Sequence, residues 1–249
     1  LGGEQVEGRQ AVAELLRAHR RPVRDVWVAE DLDPAPVLDD IVERAKRLGV
    51  PVRRVARTRL DGAARTDAPQ GVLAHAAPLA EADFDELCRP GEGRVPLLLA
   101  LDGVTDPQNL GALLRTAEAA GATGAVLPRH RAVHVTPAVT KAAAGAIEWL
   151  PITVVPGLPA ALARAVDAGV WVVGLVTDSG QDLFELQVGD GPVLLVLGAE
   201  GAGLSRLVRA RCDVHATIPL RGTVPSLNVA AAGAVALFEM ARQRAQAQR

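Results

Sequence analysis

Residues 95–101 (VPLLLAL) carry no polar side chain, and a polar turn, DGVTDPQN, follows them directly. An apolar run so short and continuous suits a strand buried on both faces, as in a parallel sheet covered by helices. Val193–Leu197 before GAEGAG and Val214–Ile218 before PLRGTVPS repeat the arrangement. Further strands are expected at Ala125–Leu127, Ile152–Val155 and Val170–Leu175, with helices between several of them. On a helix expected from Leu110 to Ala120 and closed by Gly121, Leu110, Leu113, Leu114 and Ala117 form one stripe. At 100° per residue Arg115 points to roughly the opposite side, free for another task. A last helix is expected at about Asn228–Gln243.

The first third alternates helix and strand on a smaller scale. Val12, Leu15 and Leu16 have helical spacing, and Val23–Val28 is rich in β-formers. Pro34 and Pro36 open a helix that Gly49 closes. Strands at Pro51–Val55 and Gly71–His75, with a helical piece near Arg59–Ala64 between them, complete a small α/β unit. AEADFDELCRPGEG, from Ala80, is acidic and then rich in Pro and Gly, as a linker should be. The expected domains are therefore 1–79 and 95–249, joined by a linker at 80–94.

With 49% hydrophobic and 22% charged residues among 249, neither disorder nor a fibrous repeat fits. No apolar run approaches the roughly 20 residues of a membrane helix. The chain begins at Leu1 without a secretory pattern, so a cytoplasmic location is expected. Cys88 and Cys212 lie far apart and in no C-x-x-C pair, which argues against a disulfide framework or a zinc site. His130 and His134 would suit a metal only on a helix, and Pro128, Val133 and Val135 disfavour one there, so no metal is expected.

Net charge is nearly zero, with 27 basic against 29 acidic residues, yet the arginines cluster. Arg17, Arg20, Arg21 and Arg24 form one group, and Arg53, Arg54, Arg57 and Arg59 a second, with no acidic residue inside either stretch. Two solvated faces would explain them, and so would a surface for phosphates. The absence of Tyr, with three Phe and three Trp, argues against an aromatic platform for single strands. The tryptophans read most simply as core or edge packing.

Three segments put a polar or glycine-rich turn after an apolar strand, where open α/β sheets bind ligands. In LDGVTDPQNLGALLR (101–115), Asn109 could cap the helix and Pro107 serve the turn. In VLGAEGAGLSRL (196–207), Gly198, Gly201 and Gly203 surround Glu200 and would let backbone approach a ligand closely. This is neither a Walker A loop nor a dinucleotide fingerprint. In the third segment, from Ile218, Ser226 and Asn228 could cap the last helix, and no nucleophile elbow surrounds Ser226.

Around these segments, LDGVTDPQNLGALLRTAEA (101–119), LVLGAEGAGLS (195–205) and IPLRGTVPSLNVAAAGAVALFE (218–239), with TPAVTKAAAGAIEWLP (136–151), resemble the SpoU (TrmH-like) RNA ribose 2'-O-methyltransferases of the SPOUT class. The first domain resembles the ribosomal-protein-like RNA-binding module of the 23S ribosomal RNA guanosine branch, through GRQAVAELL and the QGVLA segment. The resemblance implies an α/β catalytic domain, a parallel sheet flanked by helices and tied into a deep trefoil knot, a rare departure from unknotted chains. It implies S-adenosyl-L-methionine as cofactor, held largely by backbone at Gly198, Gly201, Ile218, Leu220 and Leu227. Arg115 is implied as base or electrostatic stabiliser at the ribose hydroxyl, Asn109 as orienter, Glu200 as partner of Arg115 or a ribose hydroxyl, and Ser226 with Asn228 as a third wall. It also implies RNA docking on the two arginine clusters and a homodimer through the catalytic domain. Val229, Ala232, Gly233, Ala236 and Leu237 on the last helix would suit close packing in that dimer or in the monomer core. A transfer RNA, or an adenosine of the thiostrepton-resistance type, is the alternative substrate. A non-catalytic RNA-binding or ribosome-assembly factor is the alternative class, which loss of Arg115 or Glu200 would have supported.

Overall fold

The computed structural model describes residues 1–130, 134–188 and 190–247, so Val133 lies outside the described residues. The chain divides into two compact units. The first holds residues 1–80 with 110–115 and 134–149, and the second holds the rest of the described chain.

In the first unit β1 (Gln5–Glu7), α1 (Arg9–Ala18), β2 (Val23–Ala29), α2 (Pro36–Arg47), β3 (Val52–Val55), α3 (Arg57–Ala63) and β4 (Val72–Ala76) build a four-stranded sheet of order β1-β4-β2-β3. The β2/β3 pair is parallel and the other two pairs are antiparallel. Val12, Leu15 and Leu16 of α1 and Leu38 and Ile41 of α2 pack on Val26 and Val28 of one sheet face. Leu60 of α3 covers part of the other, against Ala29, Val55 and Leu73. Strand β1 was not expected, because three residues show no periodicity. Its Glu7 is fully buried, and its carboxylate accepts from Gln5 Nε2 (2.7 Å), Arg65 N (2.7 Å), Thr66 N (3.1 Å) and Thr66 Oγ1 (2.5 Å). Those donors meet the requirement that a buried charge be hydrogen-bonded.

Two segments expected to belong wholly to the second domain thus pack with the first. Gly145, at φ +91°, turns so close to α1 that a Cβ would collide with the Glu14 side chain. Trp149 Nε1 donates to Glu14 Oε2 at 3.0 Å, and Arg20 Nη1 donates to the Trp149 carbonyl at 2.9 Å. Arg21 is only 6% exposed, and its guanidinium makes a two-pronged pair with Glu148 (3.0 and 2.6 Å) while donating to the Gly3 carbonyl at 2.7 Å. The expectation that Arg21 docks RNA is therefore corrected: a buried, fully engaged guanidinium has no donor to spare for a phosphate.

The second unit begins with α4 (Phe84–Cys88), inside the stretch expected to be a linker. Asp83 caps it by accepting from Glu86 N, and Phe84, Leu87 and Cys88 enter the core, so the acidic run is a helix start. There follow β5 (Leu97–Asp102), α5 (Pro107–Ala119), β6 (Gly124–Pro128), α6 (Pro137–Ala142, in the first unit), a 3-10 turn (Ala146–Glu148), β7 (Ile152–Val155), α7 (Leu158–Asp167), β8 (Trp171–Leu175), β9 (Gln181–Asp182), β10 (Val193–Gly198), α8 (Arg206–Arg209), β11 (Val214–Thr217) and α9 (Val229–Ala247). Seven strands form one sheet, order β7-β6-β5-β10-β8-β11-β9, with every neighbouring pair parallel. One face meets Phe84 and Leu87 of α4, Leu158, Ala161, Leu162 and Ala165 of α7, and Val208 of α8. Helix α9 packs on β10. Its Val229, Gly233, Ala236 and Leu237 are buried within this chain, while Ala232 is only partly buried.

Candidate active site

The parallel register places Gly198 opposite Asp102, so the chain leaves β5 and β10 side by side at the C-terminal edge of the sheet. Ligands bind in such crevices because the strand ends and helix starts there expose polar backbone. Beyond β5, Gly103 turns the chain at φ +78°. Asp106 then caps α5, accepting from Asn109 N at 2.9 Å, with Pro107 at the first helical turn. The expectation that Asn109 is the cap and that the helix starts at Leu110 is corrected. Asn109 stands inside the first turn, with its side chain available for another bond.

Beyond β10 the chain folds tightly around Glu200. Ala199 and Gly203 exchange backbone hydrogen bonds at 3.1 and 2.8 Å, and Gly201 and Gly203 take φ +74° and +64°. A Cβ on Gly198 would collide with the Gly203 and Leu204 backbone, so only glycine allows this return. Asp102 holds the far side of the loop, accepting from Ser205 N at 2.6 Å. The sequence reading passed over Asp102; an Asp-Gly pair ending an apolar strand was its signal.

Asn228 joins the three motifs. Its Oδ1 caps α9, accepting from Ala230 N at 2.9 Å and Ala231 N at 3.2 Å. Its Nδ2 donates to Asn109 Oδ1 at 2.9 Å and to Glu200 Oε1 at 2.7 Å, and Val229 N reaches the same Glu200 oxygen at 3.4 Å. One amide thus ties α5, the β10 loop and α9 together. Glu200 Oε2 makes no hydrogen bond among the described residues. Ser226 is exposed and caps nothing among them. Arg115 is exposed on α5, six residues beyond Asn109, and its side chain makes no hydrogen bond or ion pair among the described residues.

Residues 218–227 form an irregular, mostly exposed segment. None of its backbone N–H or C=O groups makes a hydrogen bond within the described chain. Leu220, Val224 and Leu227 leave 38%, 70% and 43% of their surface exposed beside this unpaired backbone. Among the described residues no group of three or more His, Cys, Asp or Glu could hold a metal ion. No helix among them is long and apolar enough to cross a membrane.

Most of the remaining arginines acquire partners from elsewhere in the first unit. Arg17 pairs with Glu14 (2.6 Å) and Asp40 (2.9 Å), Arg53 with Asp25 (3.4 Å) and Arg57 with Asp31 (3.0 Å), while Arg59 lies 5.2 Å above the Trp27 ring. Arg24 and Arg54 are exposed without a partner among the described residues.

Residues 96–238 match the SpoU rRNA Methylase family, and residues 5–82 match the RNA 2'-O ribose methyltransferase substrate binding domain. The chain is 43% identical over 244 residues to the 23S rRNA (guanosine-2'-O-)-methyltransferase RlmB of Pseudomonas aeruginosa, covering 97% of each. The SpoU methyltransferase AviRb of Streptomyces viridochromogenes, solved with the cofactor AdoMet, is similar in fold at TM-score 0.79 and 28% identity, over 97% of this chain and 90% of AviRb. The AdoMet-bound rRNA methyltransferase of Sinorhizobium meliloti is similar at TM-score 0.77 and 27% identity, over 96% of this chain and 86% of that one. With a catalytic-domain match covering more than half its length and a relative alike from end to end, the chain belongs to the SpoU rRNA Methylase family.

Proposed function

We propose that the protein methylates a ribose 2'-hydroxyl of RNA, a guanosine of 23S ribosomal RNA, with S-adenosyl-L-methionine as the methyl donor, in the cytoplasm. The observation that carries this reading is the Asn228 amide joining Asn109 and Glu200, one residue from each of three motifs, at the C-terminal edge of a parallel sheet. The residues present fit the cofactor. Unpaired backbone at 218–227, open space around Gly201 and Gly203, and the exposed side chains of Leu220 and Leu227 suit a ligand that is part apolar and part hydrogen-bonding.

When bound, the sulfonium supplies an electrophilic methyl group and leaves as a neutral thioether. The chain's own residues then have to position the ribose oxygen in line and stabilise its developing charge, while the hydroxyl proton passes to solvent water. A guanidinium keeps its proton and presents a planar fork of donors, so Arg115 serves as electrostatic stabiliser and phosphate clamp. Glu200, held by Asn228, offers its second oxygen to Arg115 or to a ribose hydroxyl. Ser226 forms part of the third wall. A homodimer through the catalytic unit belongs to the same proposal, and the exposed Phe238 of α9 offers it a large apolar side chain.

The test is transfer of tritiated methyl to unmodified ribosomal RNA, followed by nuclease mapping. Wild-type protein labels a 2'-oxygen, and Arg115→Ala falls about 10²- to 10³-fold, the usual cost of one charge-stabilising donor. Failure of wild type both to bind the cofactor and to label any RNA overturns the reading.

A further inference from the structure

The first unit holds a cluster of chemistry that the methyl-transfer site does not use. Where α3 does not cover the four-stranded sheet, the register puts His75 opposite Asp25 and Trp27 opposite Arg53, on one face. The Trp27 and His75 rings meet edge to face at 5.6 Å and 78°, and Arg59 reaches from α3 to lie 5.2 Å over the indole. Asp25 fixes the orientation of both rings, accepting from Trp27 Nε1 at 3.1 Å and lying 2.7 Å from His75 Nδ1. Arg53 leans on the same carboxylate at 3.4 Å while its side chain stays 59% exposed. Trp27 is half-buried, and the His75 side chain keeps 27% of its surface.

We propose that this sheet face takes one unpaired nucleobase of the RNA substrate, stacked on the Arg59 guanidinium that covers the Trp27 ring, with the His75 ring at the edge of the base and Arg53 at the flanking phosphate. The inference rests on the proposed function and adds the form of RNA that the first unit reads. Flat π surfaces and guanidinium planes suit the exposed face of an unstacked base and offer little to a duplex, whose bases are already stacked. Orientation by Asp25 reduces the ordering that binding must impose on these rings. Two of the arginines from the second sequence cluster thus act beside rings rather than as a bare phosphate patch.

Replacing Trp149 and Trp171 by Phe leaves Trp27 as the only tryptophan. This protein is titrated with an end-labelled ribosomal RNA hairpin and with a fully paired duplex of the same length. RNA anisotropy reports binding, indole emission reports contact, and circular dichroism checks the fold of each variant. The hairpin changes Trp27 emission saturably over the concentrations at which anisotropy rises, and the duplex does not. Arg59→Gln and His75→Ala, folded as wild type, each weaken hairpin binding about five- to 150-fold, matching roughly 1–3 kcal/mol per stacked base. Hairpin binding without change in Trp27 emission, equal response to the duplex, or unaltered affinity in both variants overturns the inference. Methyl transfer to the hairpin's parent RNA is measured alongside. Transfer that persists while Trp27 stays silent removes only this inference, whereas loss of cofactor binding and of transfer in wild type removes the proposed function.

Discussion

Arg21 Nη2 and Glu148 Oε1 lie 2.6 Å apart, with side chains 5% and 1% exposed, and 127 residues separate them in the chain. The pair fastens the segment after α6 to the turn before β2 within the first unit. Removing one partner leaves an unpaired buried charge, which costs about 3–5 kcal/mol. Glu148→Gln and Arg21→Met should each lose about that much in urea unfolding, and the double variant should lose less than the sum. Additive losses would show that the two side chains are not coupled.

Asn228 both caps a helix and organises the site. Asn228→Ala should cost about 1 kcal/mol through the lost cap. Methyl transfer should fall about 10²-fold, because Glu200 and Asn109 lose their common donor and positioning errors near 1 Å carry costs of that size. Asn228→Asp keeps the capping oxygen and turns the donor into a second carboxylate facing Glu200. It should retain stability better than alanine and lose transfer as fully, which thermal unfolding and single-turnover transfer would separate.

Gly198 is constrained by packing, since a Cβ there meets the backbone of Gly203 and Leu204, which cannot swing away. Gly198→Ala should cost about 1–3 kcal/mol and weaken cofactor binding in calorimetry by distorting the Glu200 loop. Gly201→Ala meets no atom within 4 Å and strains only φ, so its effect should be smaller.

Partial burial works to raise the Asp25 carboxyl. Hydrogen bonds from His75 and Trp27, and the charges of His75 and Arg53, outweigh it and hold the carboxyl below its ordinary value. A carboxylate depressed in the folded state stabilises the fold above the ordinary carboxylate range, and this contribution is lost as pH falls through the folded value. Unfolding curves of wild type and Asp25→Asn should differ above the ordinary carboxylate range and converge as pH falls below it. A difference independent of pH would exclude the ionised carboxylate as its source.

Burial pushes the Cys88 thiol up to about 11 and the Cys212 thiol up to about 12. The thiolate is the reactive form, so both should resist alkylation at pH 8 in the folded protein and react promptly in urea. Fast labelling of either under native conditions would mean that its surroundings open.

Much of the fold could be read along the chain because burial leaves a local trace. The run 95–101 announced β5, and Leu110, Leu113, Leu114 and Ala117 announced the buried stripe of α5. The three motifs at 101–119, 195–205 and 218–239 carried the family, since each joins a strand end to its turn in one short stretch. Asp106 was legible too, because Pro107 after it marks the helix start that Asn109 had been given. Only the tertiary structure assigned partners. Periodicity states that a residue is buried or exposed, not which group over a hundred positions away will meet it. Arg21 looked like one free cation among four until Glu148 enclosed it, and the acidic stretch after Ala80 looked like a linker until Phe84 and Leu87 found the face of the large sheet. Asn228 was a cap in one dimension and became the junction of three motifs in three, because parallel pairing sets β5 beside β10 and brings their C-terminal turns within reach of one amide.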